Sequence, residues 1–365
     1  MNNRKLVLES GQEFYGKGFG SNSTKIAELC FNTSVVGYQE ILSDPANYNR
    51  IICMTYPVIG SYGLNDEDYE SKSITCSGVI VKEYNDMPSN FRYTHKLDEA
   101  MEDALVPGIS GIDTRELTRL IRDNGTMKAM ICDAEMPLDK CLEELRSYND
   151  EDVLPQVSTK KPWYSRTTNP LFTVVAIDLG IRKSVVKNLN KAGFNVIVVP
   201  YNTSIDEIMK FKPHGVLISD GPFNPLKQNE IVNTINGLKG KLPILGIGNG
   251  QNLIALSYGA LVEKEKVGHN GCNIPVKNLT SGKIEICVFN SMYSVLESSI
   301  NNELLTITHK NVLDGFIAGL ENTNDNILTV NYNPVLNESL DNVYFRFLNV
   351  VKKARGENNA KKNWC

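Results

Sequence analysis

Strand-like and helix-like patterns alternate between residues 172 and 247, and this alternation constrains the fold more than any other feature of the chain. Apolar runs of strand length are separated by segments with helical spacing of apolar residues. In chain order these segments are FTVVAIDLG, RKSVVKNLNKAG, FNVIVVP, SIDEIMKF, HGVLISDG, NEIVNTINGLKG and PILGIG. Alternation at these lengths predicts an α/β fold with a mainly parallel, doubly wound sheet and right-handed crossovers.

Three loops that follow strands of this predicted sheet are expected to lie together. In open α/β sheets the carboxyl ends of the strands form the binding crevice, and these loops are residues 178–180, residues 219–225 and the turn around Gly248. The turn lies in LPILGIGNGQNLIALSYGA, where a dinucleotide fingerprint would need a glycine at the position of Gln251. We interpret it instead as a nucleophile elbow with glycine at the nucleophile's position.

The N-terminal half has a different character and is predicted to be an α+β domain. Short β-rich runs are separated by Gly, Asn and Asp turns, and DTRELTRLIRDNG has the N-cap Asp113 and the stop Gly125 of a helix. From Gly268 onward, the runs KIEICVFN, LLTITHKN, GFIAGL and ILTVNYNP predict an antiparallel extension before a last helix. The predicted divisions are an N-terminal domain (1–150), a polar linker (151–170), an α/β domain (171–356) and a polar tail (357–365).

Composition excludes several classes of function. A formal net charge of −4 with scattered Lys and Arg gives no reason to expect a nucleic acid or a membrane as partner. No stretch is long and apolar enough for a membrane span or a signal-peptide core, so we expect a cytoplasmic protein. The eight cysteines form no CxxC pair and only four histidines accompany them, so no metal site and no disulfide framework are expected.

Five segments resemble the small subunit of carbamoyl phosphate synthetase, a class I glutamine amidotransferase. They are FNTSVVGYQEILSDPANYNR (31–50), TYPVIGSYG (55–63), IDTRELTRLIRDNG (112–125), VSTKKPWY (157–164) and ISDGPFNP (218–225). The resemblance implies a second domain with the class I amidotransferase fold. It also implies a large-subunit partner that carries ATP and magnesium, so that this chain needs no cofactor of its own. The pathway, pyrimidine or arginine biosynthesis, stays open.

The catalytic triad that the resemblance implies is absent from this chain. In the family an elbow cysteine attacks the glutamine amide, a histidine is its base and a glutamate orients the histidine. The cysteine falls on Gly248, and the histidine and glutamate fall on Asn333 and Val335 of NYNPV. A thiol needs an adjacent base to be activated, and none of these three residues can serve. We therefore expect no glutamine hydrolysis.

The glutamine pocket implied by the resemblance is also altered. Ser34, Gly221 and Asn290 keep glutamine-contacting positions, and Tyr293 is a near match for a phenylalanine. The residues that depart from the family at or beside the pocket are Phe223, Asn249, Asn252 and Met292. Because Phe223 replaces a glycine of the family's Gly-Pro-Gly loop, its ring is expected to narrow or fill this vestigial pocket.

Three hypotheses follow from these residues. The chain is a non-hydrolytic structural or regulatory subunit of an ammonia-using synthetase, or a free-standing protein that binds a small molecule, or an active glutaminase with an unidentified nucleophile. For the last, Cys272 with His269 is the pair to consider, although a turn cysteine is more often structural. His309 is expected to lie in a surface segment. Besides the large subunit, glutamine or another small molecule in the vestigial pocket is the expected partner.

Overall fold

The computed structural model describes residues 3–149, 152–337 and 342–356. The chain forms two compact units. The first contains residues 1–153 together with residues 266–272, and the second contains the rest. Among the described helices, none combines the length and the apolar character that a membrane span requires.

The first unit is built around a closed barrel of seven strands in the order β1-β2-β8-β6-β4-β3-β9. Within the barrel, strand pairs β3–β4, β4–β6 and β6–β8 are parallel and the other pairs are antiparallel, while β5 and β7 form a separate parallel pair. The strands described in this unit are β1 (Arg4–Leu8), β2 (Glu13–Gly20), β3 (Lys25–Asn32), β4 (Arg50–Met54), β5 (Val58–Ile59), β6 (Gly78–Val81), β7 (Glu83–Tyr84), β8 (Pro107–Ser110) and β9 (Met127–Asp133). Barrel closure is the feature that the α+β prediction lacked, because strand patterns do not show which strands pair.

The first unit contains four described helices, of which the third begins and ends where its sequence signals predict. They are α1 (Tyr38–Leu42), α2 (Leu97–Asp103), α3 (Thr114–Asn124) and α4 (Leu138–Ser147), with a short 3₁₀ turn at Pro45–Asn47. In α3 the side chain of Asp113 accepts hydrogen bonds from the backbone N–H groups of Arg115 and Glu116, and Gly125 follows at φ 96°. Its apolar face, which includes Leu117 and Ile121, is fully buried in the core.

The second unit contains a ten-stranded sheet in the order β10-β12-β11-β13-β14-β19-β18-β17-β15-β16. Its strands are β10 (Trp163–Ser165), β11 (Phe172–Asp178), β12 (Phe194–Pro200), β13 (Gly215–Ile218), β14 (Ile244–Ile247), β15 (Val262–Asn278), β16 (Ile284–Val295), β17 (Thr306–Asn311), β18 (Ile317–Asn322) and β19 (Ile327–Val330). Its helices are α5 (Leu154–Val157), α6 (Lys183–Lys191), α7 (Ile205–Lys210), α8 (Asn229–Leu238), α9 (Asn249–Ser257) and α10 (Val343–Ala354), with 3₁₀ turns at Pro225–Lys227 and Glu297–Ser299.

Strands β12, β11, β13, β14 and β19 are mutually parallel, so the predicted doubly wound α/β sheet is confirmed. Two details differ from the sequence-based expectation. The run ILTV, assigned there to the antiparallel extension, forms β19 and pairs in parallel with β14. The segment treated as a linker contributes β10, which pairs antiparallel with β12. Both runs are short, so periodicity could not identify their neighbours.

Candidate functional site

The three loops expected to converge do meet at the carboxyl ends of β11, β13 and β14. The backbone N–H of Leu179 donates to Oγ of Ser219 at 2.9 Å, and this hydroxyl donates to the carbonyl of Asp220 at 2.9 Å. The backbone N–H of Asn249 donates to Oδ1 of Asp220 at 2.8 Å. The loops after β11, β13 and β14 are thus joined by hydrogen bonds at the edge of the sheet where ligands bind in this class of fold.

Asp178, the first acidic residue at this edge, has a structural role. Its carboxylate accepts backbone hydrogen bonds from Thr159 at 2.8 Å, Gly180 at 3.0 Å and Ile181 at 2.9 Å. Burial raises the pKa of this carboxyl, while the three N–H donors oppose the rise. These bonds hold the loop after β11 in place.

The elbow itself has the backbone geometry that its sequence predicts. Gly248 lies between β14 and α9 with φ 57° and ψ −125°, a conformation that residues with a Cβ rarely adopt. Its N–H donates to the carbonyl of Val330 at 2.8 Å. The neighbouring Gly250 is equally constrained, because a Cβ there would overlap the carbonyl oxygen of Ile218 and lie 3.0 Å from that of Ser219. The turn is therefore fixed by close backbone packing.

The space where a side chain at position 248 would project is filled by Asp220. A Cβ built on Gly248 would overlap Cγ and both carboxyl oxygens of Asp220. Asp220 is itself buried. The elbow therefore lacks a nucleophile and has no room for one in its present conformation.

Two backbone N–H groups converge on the same carboxyl oxygen. Oδ1 of Asp220 accepts from the N–H of Gly221 at 2.9 Å and from the N–H of Asn249, the residue after the elbow position. A pair made of the N–H after the nucleophile and an N–H from a neighbouring loop is the usual construction of an oxyanion hole. Here that pair holds a carboxylate of the protein itself.

The side chains around this pair form a connected amide network. Nδ2 of Asn249 donates to the carbonyls of Phe223, at 2.8 Å, and Gly221, at 3.3 Å. Nδ2 of Asn252 donates to Oδ1 of Asn249 at 2.8 Å and to the carbonyl of Tyr293 at 3.2 Å. Phe223 is 2% exposed. The amide N–H groups of Asn249 and Asn252 are thus engaged within the site, whereas the buried Oδ1 of Asn252 has no donor among the described residues.

The other pocket residues lie in two different units. Asn290, Met292 and Tyr293 belong to β16 in the second unit, and Met292 is buried. Ser34 belongs to the first unit, where its N–H donates to Oδ1 of Asn32 at 2.9 Å. Within the second unit, the structure therefore brings Gly221, Phe223, Asn249, Asn252 and the Tyr293 carbonyl together.

The segment that would carry the base and its orienting carboxylate, residues 331–335, is held by backbone hydrogen bonds, one of which joins Asn331 N–H to the Ala318 carbonyl. The N–H of Asn333 donates to the carbonyl of Val288 at 2.8 Å, whereas the buried Oδ1 of Asn333 finds no hydrogen-bond donor within the described ranges. Val335 is 68% exposed. Neither side chain contributes acid–base chemistry, since an amide and an isopropyl group do not titrate.

His309 does not lie on the surface, and that expectation was wrong. It is buried in β17, where its Nδ1 lies 2.9 Å from Oγ1 of Thr308 and its ring meets Tyr332 edge-on. Burial, with a smaller contribution from Arg346, lowers its pKa to about 4. The imidazole is therefore neutral at physiological pH. Its neighbours Thr308, Gly319 and Tyr332 come partly from other segments of the chain, so the sequence around His309 alone does not indicate its burial.

Cys272 and His269 lie in residues 266–272, which form part of the first unit. This segment packs there through the N–H of Thr126, which donates to the carbonyl of Lys266 at 2.9 Å, and through the N–H of Thr33, which donates to the carbonyl of Asn270 at 3.4 Å. Cys272 is half-buried. These contacts give both residues a structural setting in the first unit.

Asp220 is the site residue that sequence analysis missed. The loop 219–225 is expected at the site and Gly221 and Phe223 are assigned to the pocket, but no role is predicted for the acidic side chain of Asp220. The signal that could have found it is the combination of this acidic residue with a glycine at the elbow position. The direction of the Asp220 carboxyl group depends on how the loop after β13 packs against the turn after β14, and this packing cannot be predicted from the sequence.

Two family models match the chain in succession. Residues 6–131 match the model described as "Carbamoyl-phosphate synthase small chain, CPSase domain", and residues 175–347 match "Glutamine amidotransferase class-I". The first range lies within the first compact unit, and the second range lies in the second unit except for residues 266–272.

Curated relatives are similar over nearly the whole chain. The pyrimidine-specific small chain of carbamoyl phosphate synthase from Halalkalibacterium halodurans is 42% identical over 332 residues, which cover 91% of each chain. The small chain from Bacillus cereus is 39% identical over 357 residues, covering 97% of each chain. The small chain from Staphylococcus epidermidis is 42% identical over 332 residues, covering 91% of this chain and 90% of its own length.

Proposed function

The chain belongs to the family of carbamoyl phosphate synthase small chains, and from this premise we propose that it serves as a small chain that does not itself hydrolyse glutamine. The observation that carries the proposal is the elbow, where Gly248 offers no nucleophile and the Asp220 carboxyl group fills the space beside it.

The lost nucleophile has no substitute at the elbow. Amide hydrolysis by this family's chemistry needs a thiolate within reach of both a base and an oxyanion hole. The positions of the base and its orienting carboxylate hold Asn333 and Val335, which cannot accept or direct a proton. The N–H pair of Gly221 and Asn249 remains, but it binds Asp220. Each of the three requirements is therefore unmet.

The part of the chain that matches the family's own N-terminal domain model, residues 6–131, forms the intact closed barrel of the first unit. Because this domain is retained while the elbow has a glycine at the nucleophile's position, a role in binding a partner chain is favoured over a role in catalysis. The partner we propose is a carbamoyl phosphate synthase large chain, in which ATP and magnesium act, with free ammonia as the nitrogen source. This small chain then stabilises or regulates its partner.

Reconstitution with a cognate large chain tests the proposal. We expect a stable complex at micromolar concentrations, carbamoyl phosphate formation with ammonium chloride, a change in that rate when this chain is present, and no formation with glutamine. A relative with an intact triad is the matched control and should support both nitrogen sources. Failure to form a complex would favour a free-standing protein, and glutamine-dependent formation would contradict the proposal.

The variant Cys272→Ala tests whether another residue acts as the nucleophile. If glutamine-dependent activity is observed, its loss in Cys272→Ala assigns the reaction to that thiol and overturns the argument from the elbow. The buried Cys141, which lies in the core of the first unit, is unsuitable as a control because its truncation opens a cavity. Cys272→Ser is the conservative partner, since it keeps the size of the side chain and removes only the thiol.

A further inference from the structure

Asp220 occupies the position that a reacting amide would need. In an acyl-transfer site the two N–H donors of the oxyanion hole bind the carbonyl oxygen of the substrate. Here both donors, from Gly221 and Asn249, already bind one carboxylate oxygen at 2.9 and 2.8 Å. A glutamine side chain would have to displace it.

We propose that Asp220 is an internal occupant of the oxyanion hole, which closes this site to amide and other acyl substrates and makes the identities of residues 220 and 248 interdependent. The inference rests on the proposed function, because a site that still hydrolysed glutamine could not keep a carboxylate there. It adds a second barrier beyond the lost triad. Restoring the thiol alone would not restore access for substrate.

The identities of residues 220 and 248 depend on each other because their side chains would occupy the same space. A Cβ at position 248 would overlap the carboxyl group of Asp220, and that group is held by two backbone donors. The side chain at 248 and the carboxylate at 220 therefore compete for one volume. A glycine at 248 and an aspartate at 220 are compatible with each other, whereas a residue with a Cβ at 248 requires either that the Asp220 carboxyl group leave its two donors or that a smaller residue stand at 220.

Thermal unfolding of four variants tests this competition. Gly248→Cys should lower the melting temperature by about 6 °C or more, and Asp220→Ala in the same chain should recover at least half of that loss. Gly315→Cys is the matched control, because Gly315 also has a positive φ, 79°, but has no atom within 4 Å of an added Cβ. Asp220→Ala alone should be mildly destabilising. A double variant that is less stable than Gly248→Cys would overturn the proposal.

Hydrogen exchange tests the occupied N–H pair in a chain with native Gly248. Asp220→Ala should speed exchange of the Gly221 and Asn249 amides by about tenfold, since each loses its acceptor. Asp220→Asn keeps an Oδ1 acceptor of the same shape and should retain most of the protection. Unchanged exchange in Asp220→Ala would contradict the proposal, and it would do so even if Gly248→Cys did not fold.

Iodoacetamide, which carries a small amide group, probes access to the hole. Alkylation forms an S–C bond at the introduced thiol, breaks the C–I bond and releases iodide and the thiol proton. Mass spectrometry of the peptide containing position 248 should show alkylation at least about tenfold faster in Gly248→Cys with Asp220→Ala than in Gly248→Cys. Equal rates would overturn the proposal. Neither result depends on glutaminase activity, so this test and that of the proposed function fail separately.

Discussion

The elbow and the 331–335 segment of the same unit differ in how their side-chain groups are satisfied. At the elbow the backbone is retained and a carboxylate has filled the space of the nucleophile. In the 331–335 segment backbone hydrogen bonds hold the chain, but the Oδ1 of Asn333 has no donor among the described residues and the Val335 side chain is exposed. The difference teaches that a backbone can be held equally well at two places while its side-chain groups are satisfied at only one of them.

The largest expected effect tests the packing of the elbow. Gly250→Ala should destabilise the protein by about 3 kcal/mol, because its Cβ would overlap the Ile218 carbonyl, a backbone atom that cannot rotate away. Gly237→Ala in α8 is the control: its Cβ meets only the movable Cδ1 of Ile205, and alanine favours a helix. Urea unfolding measures both. Equal costs would show that the elbow is not specially constrained.

The buried imidazole of His309 predicts that the free energy of unfolding depends on pH. Between pH 6.5 and about 4 an unfolded chain protonates this histidine while the folded chain does not. Stability should therefore fall as the pH falls through this window, by up to about 3 kcal/mol for this group. Urea unfolding at pH 7 and pH 4.5, for the native chain and for His309→Gln, isolates the contribution. An identical pH dependence in both chains would refute it.

The third prediction concerns the hydrogen bond between Gln251 of α9 and Thr329 of β19. Nε2 of Gln251 donates to the Ile317 carbonyl at 3.0 Å, and Oγ1 of Thr329 lies 2.9 Å from Oε1 of Gln251. Gln251→Leu should cost about 2 kcal/mol, because it leaves buried partners unsatisfied. Thr329→Val and the double variant complete a cycle. Additive costs would indicate that the two side chains do not stabilise each other.

The smallest effect on stability is expected in the 331–335 segment. Asn333→His with Val335→Glu returns the family's residues to their positions. Because Asn333 makes no side-chain bond through Oδ1 and Val335 is exposed, stability should change by no more than about 0.5 kcal/mol. Glutaminase activity should stay absent, since Gly248 still offers no nucleophile. Activity in this variant would show that the nucleophile lies elsewhere.

Much of the second unit was predictable because its signals are local. Buried strand runs and amphipathic helices identify the parallel sheet, and the glycines around 248 identify the turn. The convergence of the loops after β11, β13 and β14 follows from topology alone. Given the family resemblance, the sequence shows Gly248, Asn333 and Val335 at the three expected triad positions, and the absence of glutamine hydrolysis stays a prediction.

What could not be predicted depends on contacts between segments distant in sequence. Closure of the first-unit barrel requires β1 to pair with β9, and no local pattern encodes that pairing. The burial of His309 depends on neighbours from β18 and the 331–335 segment. The direction of the Asp220 carboxylate depends on two loops meeting, so the occupied oxyanion hole became visible only in three dimensions.

The most direct measurement is glutamate release from glutamine by this chain, assayed with and without a cognate large chain, beside a relative that has the intact triad. The account predicts turnover by the relative and no release by this chain above the rate of a sample heated to inactivate it. Glutamate release at a rate comparable with that of the relative would contradict the central claim that the elbow of this chain is chemically silent.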